Sequence, residues 1–230
     1  MTESLRILAL IPARGGSKRL PGKNKCLLGG KPLICWSIQA AQGIPEICDI
    51  LISTDDPETA EISKAAGVLV PWLRPKELAS DTATSVDVAL HALDWYEKEH
   101  GMVDGLLLLQ PTSPFRERSS TKHGIELFTK HGQKQVVSVS LTHHHPMWAM
   151  KMRGDLLEPY MEGNGVNSRS QDLPSAYMLN GNFYLTSPQK LRECNSFLSD
   201  QTIPLLIESQ KEALDIDTEW DFQVALSAVK

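Results

Sequence analysis

Ile7-Leu8-Ala9-Leu10-Ile11-Pro12-Ala13-Arg14-Gly15-Gly16-Ser17-Lys18-Arg19-Leu20-Pro21-Gly22-Lys23-Asn24-Lys25 decides how this chain is read. Its first five residues form an uninterrupted apolar run, ended by Pro12, as a strand buried on both faces requires. Between Arg14 and Lys31 stand six cations and no carboxylate, although the chain carries a net charge of -5. A strand that empties into a glycine-rich, lysine-rich loop is a device for holding phosphates. Glycines let backbone N–H groups approach, and lysines supply charge. The pattern points to a nucleotide-handling enzyme.

Working outward, the next segments alternate between the two periods of regular structure. Pro32 opens a helix-like run through Leu33, Ile34, Trp36, Ile38 and Ala41 that Gly43 can end. Asp49–Thr54 reads as a strand and Pro57–Ala66 as a helix stopped by Gly67. Val68–Leu73 reads as a short strand. Ser85–His100 carries apolar residues at helical spacing, and Gly105–Leu109 is the most apolar strand, broken by Gln110-Pro111-Thr112-Ser113-Pro114. Ser119–Thr129 reads as a helix and Val136–Leu141 as a strand. This β-α-β-α order predicts a parallel sheet with helices on both faces. The loops at 14–31, 55–56 and 110–114 all follow strands, so they are expected at one edge, where such sheets bind ligands.

From about His143 the rhythm changes. Trp148–Arg153 and Asp155–Tyr160 flank Gly154 as in a hairpin. Glu162–Pro174 is polar and reads as a loop. Phe183–Thr186 and Ile203–Ile207 read as strands, and Thr218–Val229 as a closing helix with Thr218 and Asp221 at its start. One domain over residues 1–230 is the simplest organisation, with 143–179 as an arm for substrate or for a second subunit.

Composition sets outer bounds. Hydrophobic residues at 41% and charged residues at 22% are ordinary for a folded globular chain. The acidic balance argues against nucleic acid or an anionic membrane as partner. No apolar stretch approaches the roughly 20 residues of a membrane span, and no secretion signal opens the chain. The four cysteines, Cys26, Cys35, Cys48 and Cys194, have no CxxC spacing and read as reduced thiols in a cytoplasmic protein.

Known phosphate loops narrow the choice. A Walker A loop needs GxxxxGK followed by Ser or Thr. Here Asn24 follows Gly22-Lys23 and Ser17 stands where the first glycine belongs. No GxGxxG is present, so neither a P-loop NTPase nor a dinucleotide dehydrogenase is supported. The segment Ile11–Lys18 with Gly22-Lys23-Asn24 instead resembles the acylneuraminate cytidylyltransferases, the CMP-sialic acid synthetases. Leu73–Ala83, Leu109–Arg116, His144-His145-Pro146, Leu179-Asn180-Gly181 and Asp215–Glu219 are similar to further stretches of that family, in its order. The resemblance covers essentially the whole chain.

That resemblance implies a three-layer α/β/α, Rossmann-like nucleotidyltransferase fold with a mainly parallel sheet and a small dimerisation arm. It implies transfer of CMP from CTP to the anomeric hydroxyl of a nine-carbon sugar acid, with release of pyrophosphate. It assigns Arg14, Lys18 and Lys23 to the triphosphate and the departing pyrophosphate. Ala13, Gly15, Asn24, Arg74 and Ser85 belong to the nucleotide side. Gln110, Arg169, Asn180 and Gly181 belong to the sugar side. Asp215 and Asp217 would hold Mg²⁺ (or Mn²⁺). CTP and a nonulosonic acid are the implied partners, and a homodimer the implied assembly.

The residues admit plainer readings beside these. Lying two apart, Asp215 and Asp217 share a face of an extended segment, but aspartate is also a common helix cap. Arg74 equally suits a surface ion pair, Ser85 a helix cap, and Asn180-Gly181 a tight turn. Gln110 ends an apolar strand and can satisfy itself on backbone. Arg19 and Lys25 read as solvated. Asp55-Asp56 before Pro57 reads as a cap. Consecutive residues on a strand alternate faces, so His143-His144-His145 makes a poor metal set.

On the sugar side the family's cations are thinned. Met147-Trp148 follow His-His-Pro, Ser170-Gln171 follow Arg169, and Met178-Leu179 precede the Asn-Gly pair. Fewer cations suit a less polar acid, such as legionaminic acid, instead of N-acetylneuraminic acid. The alternatives are a CMP-Kdo synthetase, whose opening loop differs, and a nucleotide-binding regulator that has lost catalysis. A glycosyltransferase is less favoured, because no DxD motif follows a central strand.

Overall fold

The structure, a computed structural model, describes residues 5–142, 144–163 and 165–229. His143, the first of the three consecutive histidines and the start of the expected arm, lies outside the described residues. The chain runs β1 (Ile7–Pro12), β2 (Leu27–Leu28), β3 (Lys31–Pro32), α1 (Leu33–Ala41), β4 (Ile47–Ser53), α2 (Pro57–Ala65), α3 (Ser85–His100), β5 (Gly105–Leu108), α4 (Arg118–Lys130) and β6 (Val136–Leu141). It continues through β7 (Met150–Arg153), β8 (Leu156–Pro159), β9 (Tyr177–Thr186), α5 (Pro188–Cys194), β10 (Ile203–Leu206) and α6 (Glu219–Ala228).

Six strands form one sheet in the order β10-β6-β9-β5-β1-β4. β1 pairs in parallel with β4 and β5, and β6 with β10. The mainly parallel sheet with flanking helices matches the expected fold class. β1 shows why its sequence is apolar throughout. Ile7, Ala9 and Ile11 pack with Ile34 and Ile38 of α1 and Phe128 of α4, whereas Leu8 and Leu10 pack with Leu93 and Tyr96 of α3. Alternate side chains thus enter two different cores, and neither face is left for water.

β9 runs antiparallel to both of its neighbours, β5 and β6. The chain leaves β6 at its carboxyl end, forms the β7–β8 hairpin, and re-enters from that same end, so it must run backward. β9 is also longer than the sequence suggested. Asn180-Gly181 lies inside it as a left-handed irregularity, not in a tight turn: the register with β6 shifts there and Gly181 has φ +73°. Val68–Leu73 is a second correction. It provides only an isolated pairing of Leu69 with Leu51, and Pro71 denies the segment a backbone donor.

A third cluster lies beneath the cationic loop. Leu20 of the loop packs with Leu28, Leu33, Phe115, Ile216 and Phe222. Leu20 and Ile216 are both buried, and burying side chains of this size contributes roughly 1.5–3 kcal/mol each. α6 is fixed by a capping box in which Thr218 and Asp221 bond each other's backbone N–H. This cluster joins the amino-terminal loop to residues 215–217.

Candidate active site

A cleft of about 600 Å³ opens beyond the carboxyl ends of β1 and β5, and the start of α3 forms one wall. Arg14, Lys18, Lys23, Asn24, Arg74, Ser85, Gln110, Asp215 and Asp217 all line it. Residues separated by 203 positions in the numbering, Arg14 to Asp217, are therefore gathered in one concavity.

The loop cations face two carboxylates. Arg14 Nη1 lies 3.0 Å from Asp81 Oδ1, and Lys18 Nζ lies 2.6 Å from Asp81 Oδ2. Lys23 Nζ donates to the Ile216 carbonyl at 2.9 Å and lies 3.3 Å from Asp217 Oδ1. Arg19 Nη2 lies 2.6 Å from Asp217 Oδ2 and lines the cleft, so it is not simply solvated. Lys25 turns away to Glu58 and Asp56.

Asp215 and Asp217 both reach the cleft, while Ile216 between them is fully buried. That is the alternation an extended segment imposes, and the Ile216 N–H bonds the Thr112 carbonyl at 2.8 Å to hold it. The cap of α6 is Thr218, which leaves both aspartates free of that job. Burial pushes the Asp215 carboxyl up from its usual range; the Thr112 hydroxyl opposes this and the Asp217 charge adds to it. A dication placed between the two carboxylates would relieve that penalty.

Other predicted residues resolve into distinct jobs. Arg74 is buried, not a surface ion pair. Its Nε donates to Ser53 Oγ at 2.9 Å and its Nη2 to the Ser53 carbonyl at the end of β4. Burial draws this guanidinium down to about 10, with the Asp55 charge opposing, so it is cationic at neutral pH. Ser85 is not the cap of α3; Thr84 is, bonded to the Asp87 N–H. Ser85 occupies the first turn and faces the cleft at the positive end of the helix. Asn24 donates Nδ2 to the Arg14 carbonyl at 3.0 Å, which braces the loop across its own span.

Some predicted residues stand apart from the lining. Ala13 is buried, and the Gly15 N–H is taken by Asp55 Oδ1 at 2.8 Å. Arg169 is exposed and is not part of the lining. Asn180 and Gly181 sit behind Gln110. Asn180 is buried, with Oδ1 accepting from Ser138 Oγ at 2.5 Å and Nδ2 donating to Ser140 Oγ at 2.7 Å. A Cβ on Gly181 would stand 2.6 Å from Gln110 Oε1. The Gln110 carbonyl receives Arg116 Nη2 at 3.1 Å and Ser37 Oγ at 3.3 Å. Arg116, which is buried, also donates Nε to the Asn182 carbonyl at 2.5 Å, which ties β9 to the Gln110 loop.

Sequence reasoning gave Asp81 and Arg116 no role, although both lie within segments it singled out. It read Arg19 as solvated and Asp55 as part of a cap, whereas Arg19 pairs with Asp217 and Asp55 accepts from the Gly15 N–H. Asp56 does cap α2, as expected, bonding the Thr59 N–H at 3.0 Å. Among the described residues no group of three or more His, Cys, Asp or Glu is placed to hold a metal. The four cysteines are free, and among the described residues no helix is long and apolar enough to cross a membrane.

Comparison with known proteins bears on this geometry. The cytidylyltransferase family pattern matches residues 8–214. The CMP-N,N'-diacetyllegionaminic acid synthase of Legionella pneumophila is 40% identical over 95% of this chain and 94% of its own length. The pseudaminic acid cytidylyltransferase of Campylobacter jejuni is 31% identical over 96% of this chain and 95% of its own. An N-acylneuraminate cytidylyltransferase of Streptococcus agalactiae is 34% identical over 95% of this chain, which spans only 52% of that longer protein. Among solved structures, a CMP-2-keto-3-deoxy-manno-octonic acid synthetase complexed with CTP superposes with a TM-score of 0.71 over 97% of this chain and 98% of its own, at 15% identity. That likeness establishes the nucleotidyltransferase fold. With fold, motif order and relatives in agreement, the chain belongs to the cytidylyltransferase family.

Proposed function

We propose that this protein transfers CMP from CTP to the anomeric hydroxyl of a nonulosonic acid and releases pyrophosphate. The observation that carries the reading is the meeting, in one cleft, of the loop cations with the Asp215–Asp217 pair. Arg14, Lys18 and Lys23 offer fixed positive charge along the path of a triphosphate. Charge that builds on the leaving pyrophosphate falls among these groups, and phosphoryl-type transfer needs such stabilisation more than a protein nucleophile. Arg74 and Ser85 bound the nucleotide end. Gln110, its backbone pinned by Arg116, presents its amide to the sugar acid, with Asn180 and Gly181 setting its position from behind.

Asp215 and Asp217 suit a hard divalent cation such as Mg²⁺ or Mn²⁺, which commonly takes one or two carboxylates and fills its other positions with phosphate oxygens and water. When bound, that ion would neutralise phosphate charge and orient the reacting oxygens. Lys23 and Arg19, which hold Asp217 in this structure, are then free to face phosphate.

The acid is proposed to be legionaminic acid or a close relative. Met178 and Leu179 are exposed and apolar where a basic side chain would favour a more polar sugar, and a 40% identical relative bears a legionaminic name. We also read the β7–β8 hairpin as a dimer arm. Met152, Leu156 and Leu157 are 75%, 70% and 66% exposed. Free thiols suit a cytoplasmic location.

The test is pyrophosphate release from CTP across a panel of nonulosonic acids, with and without EDTA. Release is expected to be greatest with legionaminic acid and abolished by the chelator. Heat of CTP binding without release from any acid would establish a regulator instead. A kcat/KM that favours N-acetylneuraminic acid would overturn the substrate assignment alone. Sedimentation at micromolar concentration tests the dimer, and a monomer would refute it.

A further inference from the structure

Asp81 is the carboxylate of the cleft that belongs to neither the metal pair nor the sugar side. It stands in the loop before α3, and each of its oxygens holds a different cation. Oδ1 receives Arg14 Nη1 at 3.0 Å, and Oδ2 lies 2.6 Å from Lys18 Nζ. Arg14 Nη1 also lies 3.4 Å from the Ser80 carbonyl. Hydrogen bonds from Lys18 and then Arg14 hold the Asp81 carboxyl below the usual range, so it is ionised at neutral pH. One anion bridging these two cations is the arrangement a phosphoryl group would adopt.

The two carboxylates that pair with the loop cations are not equivalent. Asp217 can exchange Lys23 and Arg19 for a divalent ion when nucleotide arrives. Among the described residues Asp81 is paired only with these two cations. A triphosphate that engages Arg14 and Lys18 therefore competes with Asp81 for both of its contacts. Asp81 is 54% exposed at its side chain, so it can turn out to water at small cost.

We propose that Asp81 is an internal competitor for phosphate. It holds Arg14 and Lys18 in place in the empty cleft, is displaced by the incoming triphosphate, and lowers the affinity of the loop for the pyrophosphate product. The proposal rests on the reading of the loop as a triphosphate clamp. It assigns Asp81 a sign opposite to that of a residue that merely orders the cations.

Titration calorimetry with inorganic pyrophosphate and Mg²⁺, and separately with CTP and Mg²⁺, tests it on the full chain. Two exposed ion pairs are each weak, so Asp81→Asn is expected to tighten pyrophosphate binding by roughly three- to tenfold. The gain should shrink in high salt and disappear when Arg14→Gln and Lys18→Gln are already present, as a double-mutant cycle requires. Asp81→Ala should tighten binding likewise, and both variants should keep the wild-type Tm within about 2 °C, as exposed substitutions do. Unchanged or weaker pyrophosphate binding in Asp81→Asn overturns the proposal, as does a gain that persists without the two cations. If the wild type itself binds neither CTP nor pyrophosphate, the triphosphate reading falls and takes this proposal with it. Wild-type binding without a gain in the variant refutes Asp81's role alone.

Discussion

Replacing Gly181 with alanine should separate the two ends of the cleft. Gly181 has φ +73°, a region that costs an L-residue roughly 1–2 kcal/mol. The added Cβ would stand 2.6 Å from Gln110 Oε1 and 3.3 Å from Ser113 Oγ. The Gln110 backbone cannot retreat, because its carbonyl is held by Arg116 and Ser37. The overlap is therefore relieved by swinging the Gln110 amide out of place. Backbone strain alone should lower stability by about 1–2 kcal/mol, or Tm by about 2–8 °C for a chain of this size. Loss of one well-aimed hydrogen bond, about 0.5–1.5 kcal/mol, should raise KM for the sugar acid by up to about tenfold. Calorimetric affinity for CTP should stay within about twofold, since the atoms nearest the added Cβ belong to Gln110 and Ser113. Steady-state kinetics with each substrate varied in turn, beside CTP calorimetry, makes the measurement. An unchanged KM for the acid, or an equal loss of CTP affinity, would refute the placement of Gln110 and Gly181 on the sugar side.

Three further outcomes are expected. Lys23→Met removes the cation between the loop and Asp217, and should lower kcat by roughly 10²–10³, the usual cost of one preorganised charge partner; a drop under tenfold in single-turnover assays counts against it. Burial raises the Asp215 carboxyl in the folded state, so ionising it costs stability as pH rises through that raised value. Asp215→Asn should therefore raise the urea midpoint at pH 7–8 without metal, while it abolishes Mg²⁺-dependent turnover; a lower midpoint reverses the sign of the argument. Gly124 lies in α4 with the Phe183 ring where its Cβ would go, at 2.4 Å from Cζ. Gly124→Ala should thus destabilise the fold by about 1–3 kcal/mol in chemical denaturation, despite alanine's better helix propensity.

What could be read from the chain follows the range of each interaction. The apolar strand Ile7–Ile11, the helix Ser85–His100 and the Thr218–Asp221 cap depend on neighbours a few positions away, and the structure reproduces them. The shared face of Asp215 and Asp217 was legible for the same reason. β9 was only half seen, because its first residues are exposed and its backbone is satisfied by strands remote in sequence. Ser85 was open to reading as a cap because Thr84 and Ser85 are interchangeable in composition; only the bond to the Asp87 N–H decides between them. Asp81, Arg19 and Arg116 find their partners 67, 198 and 66 positions away, respectively. No spacing rule reaches that far. Arg169 shows the reverse case: a motif position can be assigned a role although the folded chain leaves it outside the cleft.

The hydrocarbon knot of Leu20, Ile216 and Phe222 has a consequence for how the enzyme responds to ionic strength. The gap between the cationic rim and the acidic rim is set by oily contacts beneath them, not by the ion pairs that span it. Moderate salt weakens those pairs but leaves apolar packing intact. Brine should therefore loosen the grip on substrate without letting the jaws drift apart, and turnover at saturation should outlast affinity.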